Sequence, residues 1–259
     1  MSRFIIDKEV YEDALVTVKL SKVVYNDSCA RLLRSEGFKN VKFIDDNGAQ
    51  VVCATKDKNA YIAFRGTQPD KLNDITADLK FWKDQSEASN KAQVHEGFQT
   101  EVDKVQDDIE VWMKKIKYKS LYKKYILTGH SLGAAMATVF ASRLGSDKVD
   151  GLFTYGSPRV GGAKFQTLLD NNIKHYRFVN NNDVVTRIPP SWAFYSHTGE
   201  CVYYDHLDNC YQNPGFWKKT ECFWTGTWHA IKKGNFFDFV ADHSIDKYVE
   251  LVDNSLIDN

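Results

Sequence analysis

Gly129-His130-Ser131-Leu132-Gly133 places a serine between two glycines at the spacing G-x-S-x-G. The apolar run Tyr125-Ile126-Leu127-Thr128 precedes it, and a run of small and apolar residues, Ala134 to Leu144, follows. A strand, a sharp turn and a buried helix in that order form the setting in which this motif carries a nucleophile. Such a turn forces the serine into strained backbone geometry, so its neighbours must lack bulky Cβ groups. The Ser131 hydroxyl then stands at a helix N-terminus, where the dipole and free N–H groups stabilise a developing oxyanion. The Leu132 N–H is the expected donor. A serine hydroxyl is a poor nucleophile at neutral pH and needs a base that is itself held by an acid. In chains with this elbow the order is serine, then Asp or Glu, then His. Both partners are therefore expected after Ser131.

The elements that must position these groups are legible as alternating patterns. Residues 8–25 have the spacing of a helix, with Tyr11, Leu15 and Val18 on one face. Strand-like runs 41–44 and 50–54 flank Asp45-Asp46-Asn47-Gly48, a hairpin signal, and 60–64 is a third strand. A polar stretch from Gln68 to Asn90 shows few strong periodic features. Residues 99–117 read as a helix, with Val102, Val105, Ile109 and Trp112 or Met113 inward. Strands at 149–155 and 175–179 and a helix at 163–170 follow, and Asp242 to Val252 closes the pattern as a helix. This alternation predicts an α/β fold, a central, mostly parallel sheet flanked by helices. No repeat or linker interrupts it, so residues 1–259 are expected to form a single domain.

The composition narrows the function classes. In 259 residues, 43% are hydrophobic and 26% charged, as in a globular protein. Lys+Arg and Asp+Glu both number 34, so nothing in the charge favours a nucleic-acid partner. No apolar run approaches a membrane span. Met1 to Asp7 lacks the apolar core of a signal peptide, which places the chain in the cytoplasm if it is complete and outside the cell if a leader has been removed. Cysteines 29, 53, 201, 210 and 222 form no C-x-x-C pair. Among the last three, one disulfide is open to a secreted protein. No phosphate loop, metal cluster or dinucleotide fingerprint is present, so no cofactor is expected.

Six segments together resemble the class 3 lipases, the family of fungal triacylglycerol lipases and their relatives. They are Ala63-Phe64-Arg65-Gly66-Thr67, Val94-His95-Glu96-Gly97-Phe98, Thr128 to Ala135, Tyr155-Gly156-Ser157-Pro158-Arg159-Val160-Gly161, Asn182-Asp183-Val184-Val185 running into Ile188-Pro189-Pro190, and Asp242-His243-Ser244-Ile245 with Tyr248. The resemblance spans roughly residues 50 to 250. It implies the α/β-hydrolase fold and a Ser131–Asp183–His243 triad. It also implies an oxyanion hole made by Thr67 and Leu132, with Asp78 orienting the Thr67 hydroxyl. By itself Asp183 reads equally as a solvated loop carboxylate. His175, His197, His206 and His229 are rivals to His243, and the family uses His95 and His130 structurally.

The resemblance also implies a lipid or other ester substrate, met at a lipid–water interface, and a monomer. In the family the segment after the oxyanion residue often forms an amphipathic lid. Here Gln68 to Leu79 has only Leu72, Ile75 and Leu79 as large apolar residues and no Trp near Ile75. A segment this polar gains little from burial in lipid. Short-chain, phospholipid and feruloyl-type esterases therefore stay open, as do acyl transfer and a non-catalytic lipid-binding relative. The aromatic stretch from Trp192 to Trp228 either lines an acyl groove or folds over the core.

Overall fold

A computed structural model describes residues 7–67, 83–119, 125–215 and 241–255. Helix α1 (Lys8–Val23) opens with Asp7 accepting a hydrogen bond from the Glu9 N–H at 2.9 Å, which satisfies one of the helix's orphan donors. A short helix α2 (Cys29–Ser35), not expected from the sequence, follows. Strands β1 (Lys39–Asp46) and β2 (Ala49–Lys56) pair antiparallel around Asn47 and Gly48, both at positive φ. Two central residues at positive φ make the turn that matches strand twist. Strand β3 is Asn59–Phe64.

The polar stretch is corrected in part. Residues 83–90 belong to a hairpin of β4 (Lys83–Ser86) and β5 (Ser89–His95). Residues 68–82, and with them the expected lid and Asp78, lie outside the described residues. Helix α3 (Glu96–Lys119) begins three residues earlier than its pattern suggests and buries both Trp112 and Met113. Then come β6 (Tyr125–His130), α4 (Leu132–Leu144), β7 (Val149–Tyr155), α5 (Ala163–Asp170) and β8 (His175–Asn180). The region after Pro190 is not wholly irregular: β9 (Glu200–Tyr204) and β10 (Cys210–Gln212) extend the sheet. The last helix, α6, runs Ile245–Ser255, so Asp242 to Ser244 form the turn before it rather than its first residues.

The main sheet has the order β1-β2-β3-β6-β7-β8-β9-β10. The pairs from β3 through β9 are parallel, and antiparallel pairs stand at both ends. The central strand β6 is buried at every position because helices cover both faces. One face packs on α3, α4 and α5 through residues such as Val105, Ile109, Phe140 and Phe165. The other packs on α1, α2 and α6 through Val18, Leu33, Tyr155 and Leu251. Alanines 134, 135, 137 and 141 are all buried on α4, which lets that helix sit close on the sheet. On the opposite face Ser21 hydrogen-bonds Thr128 at 2.8 Å and Thr17 bonds Tyr155 at 2.8 Å, tying α1 to β6 and β7.

The aromatic stretch divides. Tyr195, Tyr203 and Tyr204 are buried, whereas Trp192 and Phe194 are exposed. Phe216, Trp217, Phe223 and Trp224 lie outside the described residues. Cys201 and Cys210 carry free thiols.

His175 and His130 are buried, and both are held neutral in the fold. Burial pushes His175 down to about 3, helped by the Arg177 charge. The His175 ring nitrogens lie 2.8 Å from the Thr154 hydroxyl and 3.1 Å from that of Thr198. Burial and then the neighbouring His243 hold His130 well below 6.5. Below the ordinary histidine value near 6.5 the unfolded chain takes up protons that the folded chain refuses. Their contribution to stability is therefore complete above that value and is lost as pH falls through the window. His175 should account for about 2 kcal/mol between pH 7 and pH 5, and His130 should add a loss of the same sign. Urea melts at the two pH values should show this loss, and His175→Gln should lose less over the same range even though it starts less stable.

Candidate active site

Ser131 has φ 58° and ψ −128°, a strained conformation for a residue with a side chain. The strain is held from both sides. A Cβ at Gly129 would overlap the Gly133 carbonyl group, and one at Gly133 would overlap the Phe64 carbonyl. Only glycines let β6, β3 and the start of α4 meet this closely. The Ser131 N–H donates to the Tyr155 carbonyl at 3.1 Å, and the Ser131 carbonyl receives the Ala134 and Ala135 N–H groups. Ser131 thus sits at the α4 N-terminus, and the Leu132 N–H is among the first of that helix, which lack acceptors within it.

Asp183 is fully buried, not solvated. Its carboxylate collects three donors. Nδ1 of His243 lies 2.8 and 2.9 Å from its two oxygens, the Tyr248 hydroxyl donates to Oδ2 at 2.6 Å, and the Val185 N–H donates to Oδ1 at 2.9 Å. A carboxylate only accepts, so Nδ1 of His243 carries the proton and Nε2 presents its lone pair. That Nε2 is buried and has no hydrogen-bond partner among the described residues. A buried nitrogen left unpaired in this way calls for an explanation, and its free lone pair is able to accept a proton. The Tyr248 phenol stays protonated. Burial raises it well above its ordinary value, and the Asp183 charge raises it further.

The pair is docked to the serine through Gly156. This residue follows Tyr155, whose carbonyl binds the Ser131 N–H. It has φ +59°, and a Cβ there would lie 2.8 Å from Asp183 Oδ2 and 2.9 Å from His243 Nδ1. Gly156→Ala should therefore push Asp183 and His243 out of place. Because displacements of about 1 Å cost catalysis about 100-fold, a drop of that size in kcat/KM is expected. A melting curve should show about 1–2 kcal/mol of accompanying backbone strain.

The loop that carries His243 is fixed by groups that sequence reasoning did not assign. Asp242 accepts from the Asn181 side chain at 3.0 Å and from the Asn182 N–H at 3.1 Å, and its carbonyl accepts from the Asn180 amide at 2.9 Å. Behind His243, Nε2 of His130 donates to the His243 carbonyl at 2.7 Å, so its neutral ring accepts from the Tyr25 hydroxyl at Nδ1 at 2.9 Å. Tyr25 comes from the end of α1, far away in sequence, and no local pattern marks it. Tyr248 is five residues past His243 in a motif already noted, which is the one available signal.

Of the rival histidines, His175 is committed to Thr154 and Thr198, and His197 approaches the Thr186 carbonyl at 2.7 Å. His206 follows β9 and His229 lies outside the described residues. Among the described histidines, only His243 bonds Asp183.

Thr67 follows β3, whose end is pinned by two bonds to β2: the Arg65 N–H donates to the Gln50 carbonyl at 2.9 Å, and the Arg65 guanidinium bonds the Gln50 side chain. Thr67 and Leu132 border one cavity of about 370 Å³, shared with Gln50, Arg65 and Met136. The structure thus brings Ser131, Asp183, His243, Thr67 and Leu132 to one end of the parallel strands. Asp78 cannot be placed with them, since it lies outside the described residues.

Solved structures share this architecture. The triacylglyceride lipase of Rhizomucor miehei superposes with a TM-score of 0.68 over 80% of this chain and 85% of that one, at 24% identity. A member of a family of fungal lipases superposes with a TM-score of 0.72 over 82% and 88%, at 20% identity. At such identities the likeness concerns the fold, which is that of the α/β-hydrolases. In sequence, a lipase of Rhizomucor miehei is 31% identical over 185 residues, which is 66% of this chain and 50% of the relative. A secreted mono- and diacylglycerol lipase of Malassezia globosa is 30% identical over 153 residues, 55% of this chain and 50% of the relative. The chain spans about half the length of these curated relatives. The family model "Lipase (class 3)" matches residues 61–192, from β3 through the elbow and past Asp183. With about half of its length inside that match and the elbow on the fold of those structures, the chain belongs to the class 3 lipase family.

Proposed function

We propose that this protein is a serine carboxylic-ester hydrolase acting on lipid esters of the acylglycerol type, with Ser131 as nucleophile, His243 as base and Asp183 as the acid that orients it. The observation that carries this reading is the buried Asp183–His243 hydrogen bond that leaves Nε2 of His243 bare, together with a serine strained onto a helix N-terminus. Nε2 takes the Ser131 proton as Oγ attacks the ester carbonyl. The carbonyl oxygen becomes an oxyanion, received by the N–H groups of Thr67 and Leu132, with Asp78 orienting the Thr67 hydroxyl. The imidazolium returns its proton to the departing alcohol. Water, deprotonated by the same Nε2, then cleaves the acyl-enzyme and frees the acid. No cofactor enters these steps. The names of the relatives, lipases of mono-, di- and triacylglycerols, support acylglycerols as the substrate class.

The test is hydrolysis of p-nitrophenyl esters of rising chain length, below and above the concentration at which substrate aggregates. Activity that rises with chain length and disappears in Ser131→Ala is the expected result. Activity confined to short soluble esters would keep the mechanism and replace the substrate class. A folded protein that hydrolyses none of them and leaves a fluorophosphonate probe unbound would overturn the proposal in favour of a lipid-binding role.

A further inference from the structure

Four large hydrophobic side chains are exposed among the described residues, and two of them, Trp192 at 75% and Phe194 at 82%, share one turn after Pro190. Single exposed apolar residues need no explanation, but two at the tip of one turn do. The backbone adds a second oddity. Phe194 occupies the left-handed region, φ 60° and ψ 32°, at a cost of about 1–2 kcal/mol for a residue with a side chain. No burial of its ring offsets that cost.

The turn is nevertheless firmly held. Nζ of Lys83 donates to the Ala193 and Phe194 carbonyls, both at 2.9 Å, and lies 4.3 Å from the centre of the Tyr195 ring. Arg159 donates from its backbone to the Ile188 carbonyl at 2.8 Å and from its side chain to the Pro189 carbonyl at 2.9 Å. On the far side the Ser196 N–H donates to the Gly161 carbonyl at 2.8 Å. Bonds at three points therefore fix a turn that carries its two aromatic rings outward.

Its place in the fold names the occupant. The loop starts at Asp183, and Arg159 lies three residues past Gly156, against which the acid and base rest. Lys83 follows directly on the segment that begins after Thr67. The turn thus stands on the limbs that frame the serine. Among the described residues Lys83 and Arg159 bond carbonyls of the turn, and the exposed Arg187 lies near Arg159, so cations border it; the carboxylates of Asp183 and Asp242 also act on Arg187. Aromatic rings beside cations fit the boundary of a lipid layer with anionic head groups.

We propose that Trp192 and Phe194 form a fixed wedge that seats the protein on an anionic lipid surface, independently of the segment 68–82. The proposal rests on the lipid-ester reading above, but its test does not need hydrolysis. Ser131→Ala protein is floated with phosphatidylcholine vesicles, with and without phosphatidylglycerol, alongside the same protein carrying Trp192→Ser and Phe194→Asn. Asparagine tolerates the left-handed backbone, so the turn is preserved. The parent should bind, more tightly with phosphatidylglycerol and less so at high salt, and the double variant should bind about tenfold or more weakly. With Ser131 restored, the double variant should hydrolyse a soluble acetate ester at the parent rate and an emulsified long-chain ester more slowly. A parent that does not bind, a double variant that binds as well, or binding indifferent to phosphatidylglycerol overturns the proposal. So does a change in oligomer mass on losing the two rings, which would assign the turn to a second copy of the chain. Failure of the esterase reading would appear separately, as lack of fluorophosphonate labelling at Ser131.

Discussion

Ser131→Ala should lower ester hydrolysis by about 10⁴–10⁶-fold, leaving only what binding and oxyanion donors supply. The loss falls on the chemical step, because alanine has no oxygen to form the acyl-enzyme. The fold should survive: Ser131 caps α4 without a side-chain hydrogen bond, so removing Oγ costs no cap. The backbone predicts a further, opposite effect in a sister variant. At φ 58° and ψ −128° a Cβ is strained, and glycine is not. Ser131→Gly should therefore be as inactive as the alanine variant yet more stable than wild type by about 1–2 kcal/mol. Denaturant melts and single-turnover assays on the three proteins check both halves. If Ser131→Ala kept full activity in the folded state, the nucleophile would lie elsewhere. If glycine brought no stability, the strain would be absent from the protein in solution.

Asp183→Asn is expected to cost about 10⁴-fold in kcat. Nδ1 of His243, the Tyr248 hydroxyl and the Val185 N–H all donate to this carboxylate. An amide offers one oxygen and an NH₂ group, so at least one donor must face another donor. Where the NH₂ faces His243, the ring is driven to the tautomer with its proton on Nε2, which can no longer take a proton from Ser131. The buried donors left unpaired should also destabilise the fold by about 1–3 kcal/mol. Reactivity toward a fluorophosphonate should fall in step with kcat, because both depend on removing the Ser131 proton. A merely structural role would lower stability and leave the labelling rate of the folded fraction unchanged.

Local patterns reached far into this protein because its central layer is built from residues whose reasons are local. The glycines around Ser131 are required by backbone overlap within a few residues and with one strand. The apolar run of β6 and the small residues of α4 follow from burial on both sides. The hairpin at Asn47-Gly48 follows from two positive φ values. What the sequence concealed lay at the edges. In β5, Ala92 and Val94 are buried among polar neighbours, too short an alternation to stand out from the stretch around it. In β9 the adjacent Tyr203 and Tyr204 are both buried, in different apolar clusters, so no alternation announces the strand.

The site divides along the same line. Sequence alone singled out Ser131 as the proposed nucleophile, because its neighbours in the chain create its geometry, and resemblance supplied its proposed partners by position in a motif. Only the tertiary structure decided that Asp183 is buried rather than solvated, that His243 and no other described histidine meets it, and that Tyr25, Tyr248, Asp242 and Gly156 hold the pair in place. The hydrogen bonds among these residues join segments that are 60 to 113 residues apart. A hydrogen bond across such a separation leaves no periodicity at either end, since each partner is chosen for a neighbour that the fold must first bring to it.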